Sequence, residues 1–327
     1  MAAGTFDHIP TIDVAPSYDG SDAARDTLAR ALGDTLEHVG FAYITGHAVP
    51  AALVEGLRQE TKDFFARPME EKRAIDINAW HRGYMAPNSS LIVTSSVAKV
   101  AKPNQSESIL IMHELDADDP DLRAGKPLQG PNQWPSGQPA LREAALDYMA
   151  ALEDLGRRLV HLIARSLGLP EDQFDPHFER PTVFLRLLHY PPQPREEGLF
   201  GSAPHTDYGF ITLLAQDDRG GLEVRNKDGG WIPAPPIDGS FVLNVGDILS
   251  RWTNGRFAST PHRVINLSGK DRYSQPFFFD PSMDCVVEPL AQCIEPGSVA
   301  AHPPVRYGDY LMERIDKNYD YRKDKTA

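Results

Sequence analysis

The chain has few cysteines, no long hydrophobic run and no visible leader segment. Cys285 and Cys293 are the two cysteines among 327 residues, which is too few for a disulfide framework. We therefore expect two free thiols and a reducing, cytoplasmic location. No apolar run is long enough to cross a bilayer. The residues that follow Met1 include neither a basic region nor an apolar core, so the sequence predicts no signal peptide.

Positive charge is also scarce relative to negative charge. Aspartate and glutamate number 46 against 33 lysines and arginines, which gives a formal net charge of −13. Phosphate groups are bound by basic surfaces, so this balance argues against a nucleic-acid partner and against an anionic membrane surface. Hydrophobic residues make up 41% of the chain, as in ordinary globular proteins. The composition therefore favours a globular protein with a small-molecule partner, and it does not specify an oligomeric state.

Two short motifs in the C-terminal half indicate a metal site. His205 and Asp207 form a His-x-Asp pair, and His262 lies further along in a Pro-His-Arg-Val segment. Residues i and i+2 of a strand point to the same side, so the first two side chains can reach one metal. The third ligand would come from a neighbouring strand. Two imidazoles and one carboxylate form the facial triad of iron(II) enzymes, which leaves metal positions open for substrates and dioxygen.

A third motif, Arg272-Tyr273-Ser274, follows the distal histidine. Strand alternation places Arg272, Ser274 and Phe278 on one face. A guanidinium group binds a carboxylate with two parallel hydrogen bonds, and a nearby hydroxyl suits the same ligand. A carboxylate-bearing ligand beside an open iron site suggests a 2-oxo acid cosubstrate. His-x-Asp alone is a common pattern, whereas the three motifs in this order are specific together.

On these motifs the chain resembles the isopenicillin N synthase-like family of non-haem iron oxygenases, most of which use 2-oxoglutarate. The resemblance covers nearly the whole chain and includes family-like segments at 9–13, 40–47, 220–224, 229–233 and 244–247. It implies that iron(II) is bound by His205, Asp207 and His262. It further implies that Arg272 and Ser274 bind the far carboxylate of 2-oxoglutarate.

The resemblance also suggests residues that contact the cosubstrate and the substrate. Tyr190 matches a family tyrosine that helps to hold 2-oxoglutarate. Many relatives carry asparagine two positions earlier, where this chain has Leu188, so the cosubstrate end nearest the iron would be held differently. Arg82 and Tyr84 lie where relatives contact substrate. Phe278 shares the face of the Arg-x-Ser motif, so these last three are candidate substrate residues.

The hydrophobic periodicity changes near residue 182. Before that point we expect helices at about 22–39, 50–67 and 139–167, with an irregular segment at 78–136. After it, six short strands separated by glycine-rich turns predict a mainly β protein with flanking α-helices and a double-stranded β-helix, or jelly-roll, core. An amphipathic helix at 307–319 follows. We expect residues 1–135 to form a helical and mixed region that packs on the core within one globule, and residues 136–327 to contain the long helix, the core and the last helix.

These motifs predict an iron(II)- and 2-oxoglutarate-dependent oxygenase. It would hydroxylate or desaturate a small organic molecule and release succinate and carbon dioxide. Three alternatives remain open at this point: an isopenicillin N synthase-like oxidase in which Arg-x-Ser holds the substrate, an ethylene-forming type that oxidises 2-oxoglutarate itself, and a non-catalytic binding protein. Dependence of turnover on 2-oxoglutarate distinguishes the first alternative from the main interpretation.

Overall fold

The structure, a computed structural model, describes residues 5–323. The strands are β1 (Thr11–Asp13), β2 (Phe41–Thr45), β3 (Gly83–Met85), β4 (Glu107–Ile111), β5 (Thr182–Tyr190), β6 (Ser202–His205), β7 (Ile211–Gln216), β8 (Leu222–Arg225), β9 (Trp231–Pro233), β10 (Phe241–Val245), β11 (His262–Val264), β12 (Arg272–Asp280), β13 (Val286–Val287) and β14 (Val305–Arg306). The α-helices are α1 (Pro16–Asp19), α2 (Asp22–His38), α3 (Ala51–Phe65), α4 (Met69–Arg73), α5 (Pro120–Arg123), α6 (Pro139–Ser166), α7 (Asp247–Trp252), α8 (Tyr307–Asn318) and α9 (Asp320–Lys323).

The core consists of two β-sheets whose inner faces enclose a cavity. The larger sheet has the strand order β1-β2-β10-β7-β12-β5-β4-β3, and the smaller has the order β6-β11-β8-β9. Neighbouring strands are antiparallel, except that β1 runs parallel to β2. Side chains from both sheets line the cavity between them. This arrangement confirms the predicted jelly-roll core.

Residues that precede the core in sequence extend both edges of the larger sheet. β1 and β2 lie at one edge, and β3 and β4 lie at the other. The expectation of an irregular segment at 78–136 was therefore wrong for β3 and for β4, which pairs along its length with β5. Every residue of β4 is buried, so the strand shows no polar alternation that would mark it. The short strands β6 and β9 were also missed, and each contains a proline, which weakens a strand pattern.

The long helix α6 packs on the outer face of the larger sheet, beside α2 and α3. Its start and end follow local rules. Pro139 occupies the first turn, where its missing N–H costs nothing. Gly168, just past the end, has a φ of 73°, which suits a helix C-cap. The prediction of a helix from 139 to 167 is thus confirmed to within one residue.

The last long helix, α8, lies over the open end of the core. Leu311, Ile315 and Asn318 are its buried residues nearest the cavity. The predicted helix at 307–319 is confirmed, with its end at Asn318. Among the helices of residues 5–323, none combines the length and the apolar character that a membrane span requires.

Candidate metal centre and adjoining cavities

Three side chains that can bind a metal converge between β6 and β11. His205 and His262 are cross-strand partners, and their ring centroids are 4.3 Å apart. Asp207 Oδ1 lies 3.7 Å from His205 Nε2 and 3.8 Å from His262 Nε2. One ligand atom from each residue lies within 4.8 Å of the other two. Within the described range, no other three His, Cys, Asp or Glu residues converge in this way, and His262 lies on a strand that neighbours the strand of His205.

The carboxylate of Asp207 is positioned by the larger sheet rather than by its own strand. β6 ends at His205, so the i, i+2 argument from the sequence accounts for only part of the geometry. Thr212 on β7 donates a hydrogen bond of 2.5 Å to Asp207 Oδ2, and Asn244 on β10 donates one of 2.7 Å to the same oxygen. These bonds occupy Oδ2 and leave Oδ1 facing the two imidazoles.

Backbone carbonyls orient both imidazoles. His205 Nδ1 donates to the Ala203 carbonyl at 2.7 Å, and His262 Nδ1 donates to the Thr260 carbonyl at 3.2 Å. With Nδ1 protonated, each Nε2 presents its lone pair to the metal position. Burial, and then the neighbouring His262, lower the pKa of His205. Burial alone would raise the pKa of Asp207, but the imidazoles and its two hydrogen bonds outweigh this and lower it. Neutral imidazoles and an ionised carboxylate are the states that bind a divalent cation.

A narrow inner cavity leads from this triad to Arg272 and Ser274 on β12. Arg272 is fully buried; its Nε donates to the Gly220 carbonyl at 2.5 Å and its Nη2 donates to Gln216 Oε1 at 3.2 Å. Its Nη1 and the Ser274 hydroxyl are buried and have no hydrogen-bond partner among the described residues. Unpaired buried donors are costly, and a buried cation without a counter-charge is more so. Two such donors on one strand face fit a carboxylate ligand.

Strand β5, the neighbour of β12 in the larger sheet, continues the same wall of the inner cavity. Tyr190 is the cross-strand partner of Arg272, and its ring centroid lies 4.6 Å from the guanidinium carbon. A stacked tyrosine covers the face of the guanidinium and leaves its N–H edge free for an acceptor. Leu188 pairs with Ser274 and also lines this cavity. The wall is therefore apolar where many members of the resembled family carry asparagine.

An outer cavity opens on the other side of the triad. Its wall is mostly apolar or aromatic and includes Phe184, Phe278, Ile92, Leu311 and Tyr319. Phe278 lines both cavities, so the structure places this candidate substrate residue beside the triad. The segment between β3 and β4 and helix α8 both contribute to the wall. A small organic molecule placed here would lie against the metal position and be shielded from water.

The structure does not bring Arg82 or Tyr84 to either cavity, which corrects the expectation that these two residues contact substrate. Arg82 is 1% exposed. Its Nη1 donates to the His113 carbonyl at 2.7 Å and to Asn132 Oδ1 at 3.0 Å, and its Nη2 donates to the Leu128 carbonyl at 3.2 Å. These bonds tie together three loop positions behind the sheet. We therefore assign Arg82 a structural role.

Tyr84 belongs to a second buried polar network. Its hydroxyl donates to the Glu107 carboxylate, which also accepts a hydrogen bond from Lys72 at 2.8 Å and contacts His189 at 2.7 Å. The residue of this segment that does reach the outer cavity is His81. The backbone is left-handed at His81, with a φ of 61°. Because of this turn, the His81 side chain faces the outer cavity, whereas the side chain of Arg82 bonds to the loops.

Arg186 and Asn318 are among the polar residues of the outer cavity that sequence reasoning missed. Arg186 shares the inner face of β5 with Leu188 and Tyr190 by strand alternation. Extending the period of two backwards from Tyr190 would have found it. Asn318 lies at the end of α8, and an amphipathic pattern alone gives no signal that its amide is buried.

Comparisons with known proteins agree with this geometry. A profile of the 2OG-Fe(II) oxygenase superfamily matches residues 181–281, and a profile described as non-haem dioxygenase in morphine synthesis N-terminal matches residues 9–137. A 2-oxoglutarate-Fe(II) type oxidoreductase of Emericella nidulans is 36% identical over 319 residues, which cover 95% of this chain and 90% of the relative. A homoarginine-6-hydroxylase of Oryza sativa subsp. japonica is 35% identical over 331 residues, which cover 96% and 98% respectively.

Solved structures give the same result. A full-length Neurospora crassa protein, solved in complex with alpha-KG and thymine, superimposes with a TM-score of 0.84 at 28% identity, over 94% of this chain and 96% of that one. JOX2 in complex with 2OG, Fe and JA gives a TM-score of 0.75 at 26% identity, over 95% and 89%. The chain therefore belongs to the 2OG-Fe(II) oxygenase superfamily, as an iron(II)- and 2-oxoglutarate-dependent dioxygenase that oxidises a small organic molecule.

Proposed function

We propose that His205, Asp207 and His262 bind the iron(II) of this enzyme, and that Arg272 and Ser274 bind the far carboxylate of 2-oxoglutarate. The observation that carries the second assignment is the pair of buried, unpartnered donors at the end of a cavity that begins at the triad. The triad fits a divalent cation because the pKa values of the His205 imidazole and of the Asp207 carboxyl are both lowered, which favours a neutral His205 and an ionised Asp207. Tyr190 would hold the arginine in place by stacking on it.

In this proposal the iron, dioxygen and 2-oxoglutarate supply the oxidising power, and 2-oxoglutarate leaves as succinate and carbon dioxide. The protein residues orient the reactants and exclude water. The backbone carbonyls of Ala203 and Thr260 fix the two imidazoles. The aromatic rings of Phe184 and Phe278 line the space beside the metal position, where a dry environment limits side reactions.

We infer that the outer cavity binds the organic substrate. It adjoins the triad on the side away from Arg272, and its apolar wall suits a small organic molecule. The names and bound ligands of the similar proteins point to different compounds: homoarginine, thymine and JA. Each of these is a candidate substrate for this chain, and the three make a first test panel.

Succinate release tests the proposed function. Iron(II)-loaded protein is incubated with 2-oxoglutarate and each compound of the panel, and succinate and oxidised product are quantified together. We expect one compound or its chemical class to raise succinate release above the substrate-free rate, with product in equal amount. His205→Ala protein is the matched blank. Oxygen consumption that does not depend on 2-oxoglutarate would instead favour the oxidase alternative.

We further propose that the segment at 86–106 and helix α8 act together as a lid on the outer cavity. Asn318 of α8 joins them. Its Nδ2 donates to Thr94 Oγ1 at 2.9 Å and to the Tyr208 hydroxyl at 2.5 Å, and its Oδ1 accepts from the Val93 N–H at 2.9 Å. Tyr208 directly follows the proposed ligand Asp207. The amide thus links both lid segments to the loop that carries the metal site.

Asn318→Ala is expected to loosen this lid. The substitution removes three hydrogen bonds from a residue that is 3% exposed, at a cost of about 1–3 kcal/mol. Amide hydrogen exchange should become roughly 5-fold to 150-fold faster in the two lid segments, while β10 keeps its protection. Bound substrate should slow exchange in the wild-type lid. Lys317→Ala, an exposed neighbour on the same helix, is the control. Equal exchange in the wild type and the Asn318 variant would contradict the lid.

We also propose a cytoplasmic location. Cys285 and Cys293 are both free thiols, which suits a reducing compartment. Burial raises the pKa of the Cys285 thiol to about 11, so this group stays protonated and unreactive at neutral pH. Fractionation of the source cells, with detection of the native protein, would test the location.

A further inference from the structure

Arg186 is a cation in the cavities that has no protein counter-charge. It lies on the inner face of β5 and lines both the inner and the outer cavity. Its Nε donates to Ser108 Oγ at 3.1 Å. Among the described side chains, no carboxylate oxygen lies within 4.0 Å of its guanidinium nitrogens and its two terminal nitrogens make no hydrogen bond. Its cross-strand partner on β4 is the apolar Leu110.

The other titratable groups of the outer cavity do not neutralise this charge. Asp207 is assigned to the metal. Both oxygens of Asp280 accept hydrogen bonds from the protein, each of 2.6 Å, and burial raises the pKa of this carboxyl to about 7. Burial, followed by the charge of Arg186, lowers the pKa of His81 to about 3, so that imidazole is neutral. Arg186 therefore gives the outer cavity an unbalanced positive charge.

Apolar side chains surround this charge in the wall of the outer cavity. Phe184 precedes Arg186 on the same strand face, and Phe278, Leu311 and Ile315 lie around it in the wall. A ligand that satisfies both features has an apolar body and one anionic group. A guanidinium with two free nitrogens binds a carboxylate best, because the fork matches the two oxygens.

We propose that Arg186 binds a carboxylate of the organic substrate, so that the substrate class is a small acid with an aromatic or aliphatic body. This inference deepens the proposed function and rests on its placement of substrate in the outer cavity. A second source of a carboxylate near the metal is 2-oxoglutarate itself. The substrate is favoured because Arg186 lines the outer cavity, which Arg272 and Ser274 do not reach, and because the proposed function assigns those two residues to one carboxylate of the cosubstrate.

Binding to matched acid and amide pairs tests the inference. The probes are phenylacetate, indole-3-acetate and hexanoate, each with its own amide, titrated by calorimetry into iron(II)- and 2-oxoglutarate-loaded protein without oxygen. Wild-type protein should bind at least one acid about 10-fold or more tightly than its amide, as expected for a charge-assisted contact. Arg186→Met should remove that preference, and Arg186→Lys should retain part of it. Arg123→Met, which removes one exposed positive charge from α5, should change nothing.

The outcomes separate the sources of the carboxylate. A wild-type protein that binds no acid in preference to its amide overturns the inference, as does a preference that survives in Arg186→Met. A third outcome is that Arg186→Met weakens 2-oxoglutarate binding, measured without any probe acid, while the preference for acids persists. Arg186 would then bind the cosubstrate, and the inference would be wrong. If Arg186→Met does not fold, the Lys variant decides, because it must weaken the acids more than the amides. Acid preference in a protein that releases no succinate would contradict the proposed function and leave the Arg186 assignment standing.

Discussion

His205→Ala and His262→Ala are each expected to abolish iron-dependent turnover, by about a thousand-fold or more, while the protein remains folded. Under the proposed assignment, each variant leaves the metal with two of its three protein ligands. The fold should survive because each imidazole makes only one hydrogen bond to the backbone, and losing such a bond costs about 1 kcal/mol. The two side chains also face a cavity, so neither is needed for the packing of the two sheets.

Iron content, succinate release and the melting temperature would be measured for both variants. The matched control is His161→Ala, which removes a histidine from the surface of α6 where it contacts Asp175. Iron binding and turnover should be normal in that control. Full activity in either ligand variant would refute the triad assignment. Loss of folding without loss of iron affinity in the folded fraction would instead show a structural role.

Short-range spacing was enough to predict the chemistry of the site. His-x-Asp and Arg-x-Ser each place two side chains on one side of the chain, and this property depends only on extended backbone. The structure adds the contacts between strands, which sequence spacing does not reveal. Strand pairing sets His205 opposite His262, and hydrogen bonds from β7 and β10 direct the Asp207 carboxylate. These contacts join residues far apart in sequence.

The errors have the same physical origin. Arg82 carries a charge and lies in a loop-rich segment, so the sequence suggested that it contacts substrate. Its true acceptors are the carbonyls of His113 and Leu128 and the amide of Asn132, and no local pattern reveals them. β4 was missed because strand patterns are recognised by alternation, and a strand buried on both faces has none.

Arg186 illustrates the opposite case, in which a local rule existed but was not applied. The rule that places Ser274 beside Arg272 also places Arg186 beside Tyr190. What the sequence could not supply was the missing counter-charge, because that depends on every element around the cavity. An unpaired buried or half-buried cation indicates a ligand more strongly than a charged residue in a motif does. Its desolvation destabilises the folded protein, and no ion pair within the protein offsets that cost.

Arg272→Ala is expected to weaken 2-oxoglutarate binding by roughly 30-fold to several thousand-fold, which corresponds to about 2–5 kcal/mol. Under the proposed assignment, the substitution removes the guanidinium that pairs with the far carboxylate and leaves Ser274 as the remaining partner. Arg272→Lys should restore binding only in part, because an ammonium group lacks the planar fork. Ser274→Ala removes a single neutral donor and should cost about 1 kcal/mol, or roughly 5-fold.

Anaerobic titration of iron(II)-loaded protein with 2-oxoglutarate, followed by the absorbance of the metal complex, would give these affinities. Arg123→Met again serves as the control for the loss of one positive charge. The order of the variants is the informative result, because the wild type, Ser274→Ala, Arg272→Lys and Arg272→Ala should bind progressively more weakly. An unchanged 2-oxoglutarate affinity in Arg272→Ala would contradict the cosubstrate assignment. If the same variant also lost substrate affinity, the result would show that the Arg-x-Ser motif holds the substrate, as in the oxidase alternative. The substrate would then be the missing partner of Arg272 Nη1 and of the Ser274 hydroxyl.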